Sequence, residues 1–240
     1  MKILALEFSS DRRSVAVWDS TGDEATAGGP AVVAETGGRS TRAFALIEAA
    51  LARAGLEREQ IECVAIGTGP GSYTGIRTAI ALGQGWQLGR GIKLLGVSSV
   101  DCLAAQAHAE GLRGPVTVIV DAQRQEFYRA TYALEAEGVR PTGPLQLAPR
   151  AALQACAAAG AVVIGPAAAR WVPQARDRFP DAATVARLAA RRTDFLSGDR
   201  LEPIYLREIT FTKASPPRFA APRPDAPLTG SAPPGAMPGR

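Results

Sequence analysis

The chain has 240 residues, of which 46% are hydrophobic and 21% charged, with a net charge of +4. That is ample apolar material for one large core or two small ones, and the charge is mild for a nucleic-acid binder. Three scattered cysteines, Cys63, Cys102 and Cys156, fit neither a metal cluster nor a disulfide framework. No apolar run approaches membrane-spanning length and no secretory signal precedes the first strand, so the expectation is a soluble, cytoplasmic protein with no membrane partner.

Residues 2–8 and 13–19 are apolar runs around the polar turn Ser9-Ser10-Asp11-Arg12, a hairpin signal. A third strand is expected over 31–36, after the breaks at Gly22 and Gly28-Gly29-Pro30. Ser40 or Thr41 is placed to cap a helix through Ala54, with Gly55 suited to its C-terminal cap. On that helix Phe44, Ile47 and Leu51 form one stripe, and Leu46 and Ala50 form another. The apolar arc is wider than a single core contact requires.

The next stretch organises the chain. The apolar run Cys63-Val64-Ala65-Ile66 reads as a buried strand, and it is followed by Gly67-Thr68-Gly69-Pro70-Gly71-Ser72-Tyr73-Thr74-Gly75-Ile76-Arg77. Ile76, Ala79, Ile80, Gly83 and Trp86 then fall at helical spacing. Gly69 and Gly71 permit conformations closed to other residues, and Thr74 is placed to cap the helix. Such a turn either cradles an anion with helix N–H groups or is simply tight; spacing alone leaves both readings open. It is neither a P-loop, since Gly75 is followed by Ile76 and Arg77, nor a dinucleotide fingerprint.

Further on, 92–97 reads as a strand, and Ser98 with Asp101 as a capping box for a helix through Ala109. That helix carries His108, the single histidine, which reads as an ordinary side chain rather than a catalyst. Strands at 115–121, 126–134 and 162–165 and helices at 150–159, 166–176 and 184–196 follow. Arg187, Arg191 and Arg192 share a helix face that reads as solvated, with a weak contact to RNA phosphates as the sharper alternative. Strands interleaved with helices, twice over, suggest two α/β lobes, 1–100 and 101–213, with the last ordered stretch returning to the first lobe. From Ala214 to Arg240 the chain is rich in Pro, Ala and Gly, and a disordered tail is expected.

The undecapeptide resembles the GPGS(F/Y)TG(L/I)R signature of the bacterial TsaB (YeaZ) family of tRNA threonylcarbamoyladenosine biosynthesis proteins. The strand pair 3–10 and 14–17, the segment Val120-Asp121-Ala122-Gln123-Arg124-Gln125-Glu126-Phe127-Tyr128, and Glu202-Pro203-Ile204-Tyr205-Leu206-Arg207 agree in order and spacing. The resemblance runs from residue 1 to about residue 212. It implies a two-lobed fold of the actin-like and sugar-kinase-like (ASKHA) ATPase type. In such folds an acid ends the first strand and a hydroxyl-rich turn lies over phosphates; Glu7, Ser9 and Ser10 occupy those places here. Together with Gly69, Gly71, Ser72, Thr74 and Arg77 they form the candidate anion or nucleotide site.

The resemblance also implies a role: an accessory scaffold that binds the catalytic paralogue TsaD, together with TsaE, and reaches tRNA only through that complex. The pairing surface, for TsaD or for a second copy in a homodimer, would be the two helices, through Phe44, Leu46, Ile47, Ala50 and Leu51 on the first and Ile80, Gly83 and Trp86 on the second. Within it Phe44, Ile47 and Leu51 are assigned to the chain's own core, and Leu46 and Ala50 to the centre of the contact. No intrinsic cofactor or metal is implied, leaving room for a nucleotide at the partner interface. The chain departs from relatives in having Glu7 rather than Asp, no His near residues 40–44, and Gln123 in place of Arg. A peptidase is rejected, because one histidine cannot form the metal pair of TsaD. The alternative is a small-molecule kinase or ATPase of the same fold, but the glycines after residue 114 are isolated until the tail, without the loops such an enzyme needs.

Overall fold

The computed structural model describes residues 1–22, 28–37, 41–158 and 160–207. The expected tail, and Ser40 as a cap, lie outside the described residues. Residues Met1–Arg207 pack as one unit holding two mixed sheets.

The first sheet has the order β3-β2-β1-β4-β5. β1 (Lys2–Glu7), β2 (Arg12–Asp19) and β3 (Ala31–Thr36) run antiparallel, and β4 (Cys63–Gly67) and β5 (Lys93–Val97) are parallel to β1. Because strand side chains alternate, each central strand feeds two cores. Leu4, Leu6, Val15, Val17, Val64 and Ile66 face α1 (Ala43–Ala54) and α2 (Tyr73–Arg90). Ile3, Ala5, Ala16, Cys63 and Ala65 face the other way, and their small side chains receive Ala182, Ala186 and Ala189 of the last helix.

The second sheet has the order β11-β10-β6-β7-β8, with β9 also on β7. β6 (Gly114–Asp121), β7 (Glu126–Leu134), β8 (Val139–Pro141) and β9 (Gln146–Pro149) make the antiparallel part; β10 (Val162–Gly165) and β11 (Arg176–Asp177) are parallel to β6. α3 (Ser99–Ala109) packs Val100, Leu103, Ala104 and Ala107 against Val116, Val118 and Tyr132. α4 (Arg150–Ala158) puts Leu153 on the opposite side with Ile119 and Phe127. α5 (Ala182–Ala190) then returns to the first sheet, and Leu196 N–H donates to the Leu94 carbonyl at 2.9 Å.

Four local expectations are corrected. Residues 166–176 form no α-helix: Pro173 cannot donate within a helix and disfavours helical geometry at Val172, leaving a 3₁₀ turn, Ala168–Arg170, and β11. The last helix starts earlier and ends sooner than 184–196, because Asp181 caps it by accepting the Thr184 N–H at 2.7 Å. Ser98 stands at the N-cap of α3 without a side-chain bond, since Asp101 instead accepts from the Tyr132 hydroxyl at 2.6 Å. Arg42, not Thr41, is the N-cap of α1, while Gly55 closes that helix in the left-handed conformation as expected.

Candidate functional site

Helix α2 begins at Tyr73, one residue before Thr74, and its N-cap is Ser72, whose Oγ accepts the Gly75 N–H at 3.3 Å. Several further polar groups of the turn bond within the chain. Ser72 N–H donates to the Ser9 carbonyl at 2.7 Å and Thr68 N–H to the Val97 carbonyl at 2.9 Å. Gly69 N–H donates to Ser99 Oγ at 3.2 Å. A Cβ at Gly71 would overlap the Ser9 carbonyl oxygen, and one at Gly75 the Phe8 carbonyl oxygen. The glycines are therefore needed so that the hairpin turn and the helix start can touch. Two carbonyl oxygens of the hairpin turn thus pack directly against the backbone of the glycine turn and the first turn of α2.

Glu7 is fully buried behind this turn. Its Oε1 accepts the Ser9 N–H at 2.7 Å and its Oε2 accepts the Ser99 hydroxyl at 2.9 Å. Gly67 leaves room for that carboxyl, which a Cβ would overlap. Burial pushes the Glu7 carboxyl above its ordinary range, against the pull of the Ser9 and Ser99 hydrogen bonds, and Asp181 adds to the rise. Ser9 and Ser10 are buried, and Ser10 Oγ donates to the Arg12 carbonyl at 3.0 Å, closing the hairpin. Thr74 and Arg77 are exposed; the Arg77 guanidinium lies 4.4 Å from the Tyr73 ring, which stacks on Tyr205 at 5.4 Å. Of the eight candidate anion-site residues, the structure thus gathers Glu7, Ser9, Ser10, Gly69, Gly71 and Ser72 around one turn, while Thr74 is exposed on the first turn of α2 and Arg77 packs on Tyr73. Ile204 N–H donates to the Thr68 carbonyl at 2.9 Å, anchoring the segment that carries Tyr205.

A carboxyl whose folded-state pKa lies above its unfolded value binds its proton more tightly in the folded chain. Stability is then lost as pH rises through the window between the two values. Glu7→Gln, which cannot ionise, is expected to melt above the native chain at neutral pH. The gap should close as pH falls through the ordinary carboxylate range, where Glu7 is protonated in both states. Melting curves from pH 4 to 8 check this, and a gap independent of pH contradicts it.

The helix faces give a different site. The buried stripe of α1 is Ala43, Leu46, Ile47, Ala50 and Leu51, the i, i+3, i+4, i+7, i+8 set. Leu46 and Ala50 are core residues, contrary to their assignment to a partner contact. Phe44 sits one residue round the helix, is 70% exposed, and leaves the core to which it was assigned. On α2, Ile80 and Gly83 are also buried; a Cβ at Gly83 would overlap Ile66. Neither presents a surface.

What is exposed is a groove of about 310 Å³ between α1 and α2, lined by Phe44, Ile47, Glu48, Arg58, Glu59, Gly85, Trp86, Gly89 and Arg90. Trp86 is half-buried on the core and forms one wall. Gly85 and Gly89, one helical turn apart, have open space where a Cβ would stand, so the backbone of α2 is bare there. The rim is self-neutralised, with Glu48 paired to Arg58 and Glu59 to Arg90. Leu88 is 89% exposed on the same helix. Gly89 and the exposed Leu88 were not expected from the sequence; the Gly-x-x-x-Gly spacing of Gly85 and Gly89 beside an aromatic was the available signal.

The lone histidine is structural, with Nε2 donating to the Glu135 carbonyl at 2.7 Å. Cys63 and Cys102 are buried free thiols, and burial pushes Cys63 up to about 12; Cys156 is half-buried. Among the described residues no three His, Cys, Asp or Glu side chains gather as metal ligands, and no helix is long and apolar enough to cross a membrane.

Comparison with known proteins places this geometry in a family. A family model described as TsaD, tRNA N6-adenosine threonylcarbamoyltransferase, matches residues 36–180. The Escherichia coli (strain K12) tRNA threonylcarbamoyladenosine biosynthesis protein TsaB is 29% identical over 139 residues, 58% of this chain and 58% of that protein. The Haemophilus influenzae protein of the same name is 31% identical over 36% of this chain and 37% of its own length. The matched regions thus span less than two thirds of these curated relatives. The solved structure of YeaZ from Pseudomonas aeruginosa superposes with a TM-score of 0.72 at 25% identity, over 85% of this chain and 99% of that one. Its likeness agrees with the expected α/β fold of two mixed sheets. By its family-model match and these relatives, the chain belongs to the TsaB (YeaZ) family, within the wider TsaD-type group.

Proposed function

We propose that the chain is an accessory subunit in the formation of threonylcarbamoyladenosine on tRNA, binding a TsaD homologue and acting with a TsaE homologue in the cytoplasm. The observation that carries this reading is the groove between α1 and α2. It joins an exposed aromatic knob, Phe44, to a bare helical backbone at Gly85 and Gly89, with Trp86 as one wall and a rim already neutral. Bare backbone lets a partner helix approach closely, and a protruding aromatic beside it supplies the kind of anchor on which interfaces depend. The catalytic chemistry is assigned to the partner, since the glycine turn is filled by the chain's own carbonyls and Glu7 is bonded behind it. Any nucleotide is assigned to the partner interface, and TsaD takes precedence over a second copy at the groove.

The test is reconstitution. The purified chain should give no threonylcarbamoyl transfer and no ATP turnover by itself, and should raise transfer when added to the TsaD and TsaE homologues. Robust turnover by the single chain overturns the accessory reading, as does full transfer by TsaD and TsaE without it.

A further inference from the structure

The second sheet carries a cluster of guanidinium groups that the α1–α2 groove does not use. Its centre is the half-buried Trp171, whose ring meets Phe127 of β7 edge-on at 5.1 Å. The exposed Arg170 and Arg150 hold their guanidinium carbons 5.1 and 5.6 Å from the Trp171 ring centroid. Arg150 N–H donates to the Gln125 carbonyl at 3.3 Å, which sets the β6–β7 turn alongside. In that turn Gln123, Arg124 and Gln125 have φ of 65°, 57° and 64°, left-handed values that residues with side chains rarely adopt in succession. Asp121 Oδ1 accepts the Gln123 N–H at 2.7 Å, and Arg207 donates to the Gln123 carbonyl at 3.2 Å. The surroundings thus hold a strained turn that leaves Arg124 exposed.

The charges of this cluster are unspent. Arg124, Arg150 and Arg170 make no ion pair among the described residues. Nearby carboxylates are engaged elsewhere: Glu126 with Arg207 at 2.5 Å, Asp177 with the Ala169 N–H at 2.9 Å, and Asp121 within the turn. Arg129, two residues from Phe127 along β7, bonds Cys156 Sγ at 3.4 Å and leaves its Nε without a partner.

We propose that this patch is an RNA contact, resting on the tRNA reading above. Arg124, Arg150 and Arg170 take backbone phosphates, and an unpaired base stacks on the arginine–Trp171 cluster. Planar guanidinium groups packed on an indole are held at fixed spacing and offer forked donors to phosphate oxygens. The same planes stack with bases, which an acidic protein partner does not require. The patch lies on α4, the β6–β7 turn and the Ala168–Arg170 turn, so a protein seated on α1 and α2 uses different elements.

The test uses the full chain without partners and a labelled, unmodified tRNA transcript, with anisotropy measured across a salt series. The native chain should bind with an affinity that falls steeply with salt. Arg150→Gln with Arg170→Gln should weaken binding about tenfold and reduce the log–log salt slope by roughly 1.4, about 0.7 for each lost contact. In a Trp18→Phe, Trp86→Phe background, Trp171 emission should be quenched by RNA. Arg150→Lys with Arg170→Lys should keep the slope and lose the quenching, which separates stacking from charge and uses a fold-preserving change. Arg191→Gln, on the exposed end of α5, should change little.

The proposal is overturned if the full chain shows no salt-dependent RNA binding, or if Arg191→Gln costs as much as the double variant. It is also overturned if the double variant keeps RNA affinity and loses a protein partner instead. The first two outcomes leave TsaD association, which is measured separately, untouched, so the RNA reading and the TsaD reading fail independently.

Discussion

Ala50→Asp is expected to destabilise the chain by at least about 4 kcal/mol, a large share of the total stability of an ordinary domain. Ala50 is fully buried on α1, among Leu46, Ile47, Leu51 and the first-sheet residues of the same core. A carboxylate there has no cation in that apolar cluster, so it must stay protonated or draw water into the core. For a chain of this size the loss corresponds to a fall in melting temperature of roughly 8–16 °C. Thermal melts of the purified variant check it. A near-normal melt combined with loss of partner binding would mean that the buried stripe of α1 has been placed a residue out of register.

Phe44→Asp should do the opposite, leaving the melt almost unchanged while partner affinity falls at least thirty-fold, about 2 kcal/mol. The Phe44 side chain is mostly in solvent, so the folded chain loses little when it is removed. In a complex it would be an aromatic anchor, and an aspartate in its place would have to be desolvated against the same surface. Gly89→Arg should act in the same direction by filling the bare stretch of α2, where a Cβ meets nothing of its own chain. Glu48→Gln, on the paired rim, should cost far less. Calorimetric titration of each variant with the TsaD homologue measures this. Unchanged affinity for both Phe44→Asp and Gly89→Arg would remove the groove from the interface.

The order of elements was legible in the sequence because it rests on local pattern. Alternating and continuous apolar runs marked β1 to β7 and β10, and the glycine turn announced a strand-to-helix junction. Its nine-residue signature, with three further segments in order, was enough to indicate the family. Two kinds of fact depended on tertiary structure. Which of two overlapping stripes on α1 faces inward could not be read from spacing alone, since Phe44–Ile47–Leu51 and Leu46–Ala50 both fit a helix. The sheet chose Ala43, Leu46, Ile47, Ala50 and Leu51, and turned Phe44 out. Likewise, a glycine turn looks the same in sequence whether it cradles a phosphate or another piece of the chain. Here the carbonyls of Phe8 and Ser9, some sixty residues earlier, meet Gly75 and Gly71, and Glu7 bonds Ser99 across ninety-two positions. Contacts between residues so far apart leave no local periodicity, so only the folded packing of hairpin, turn and helix decided what the glycines are for.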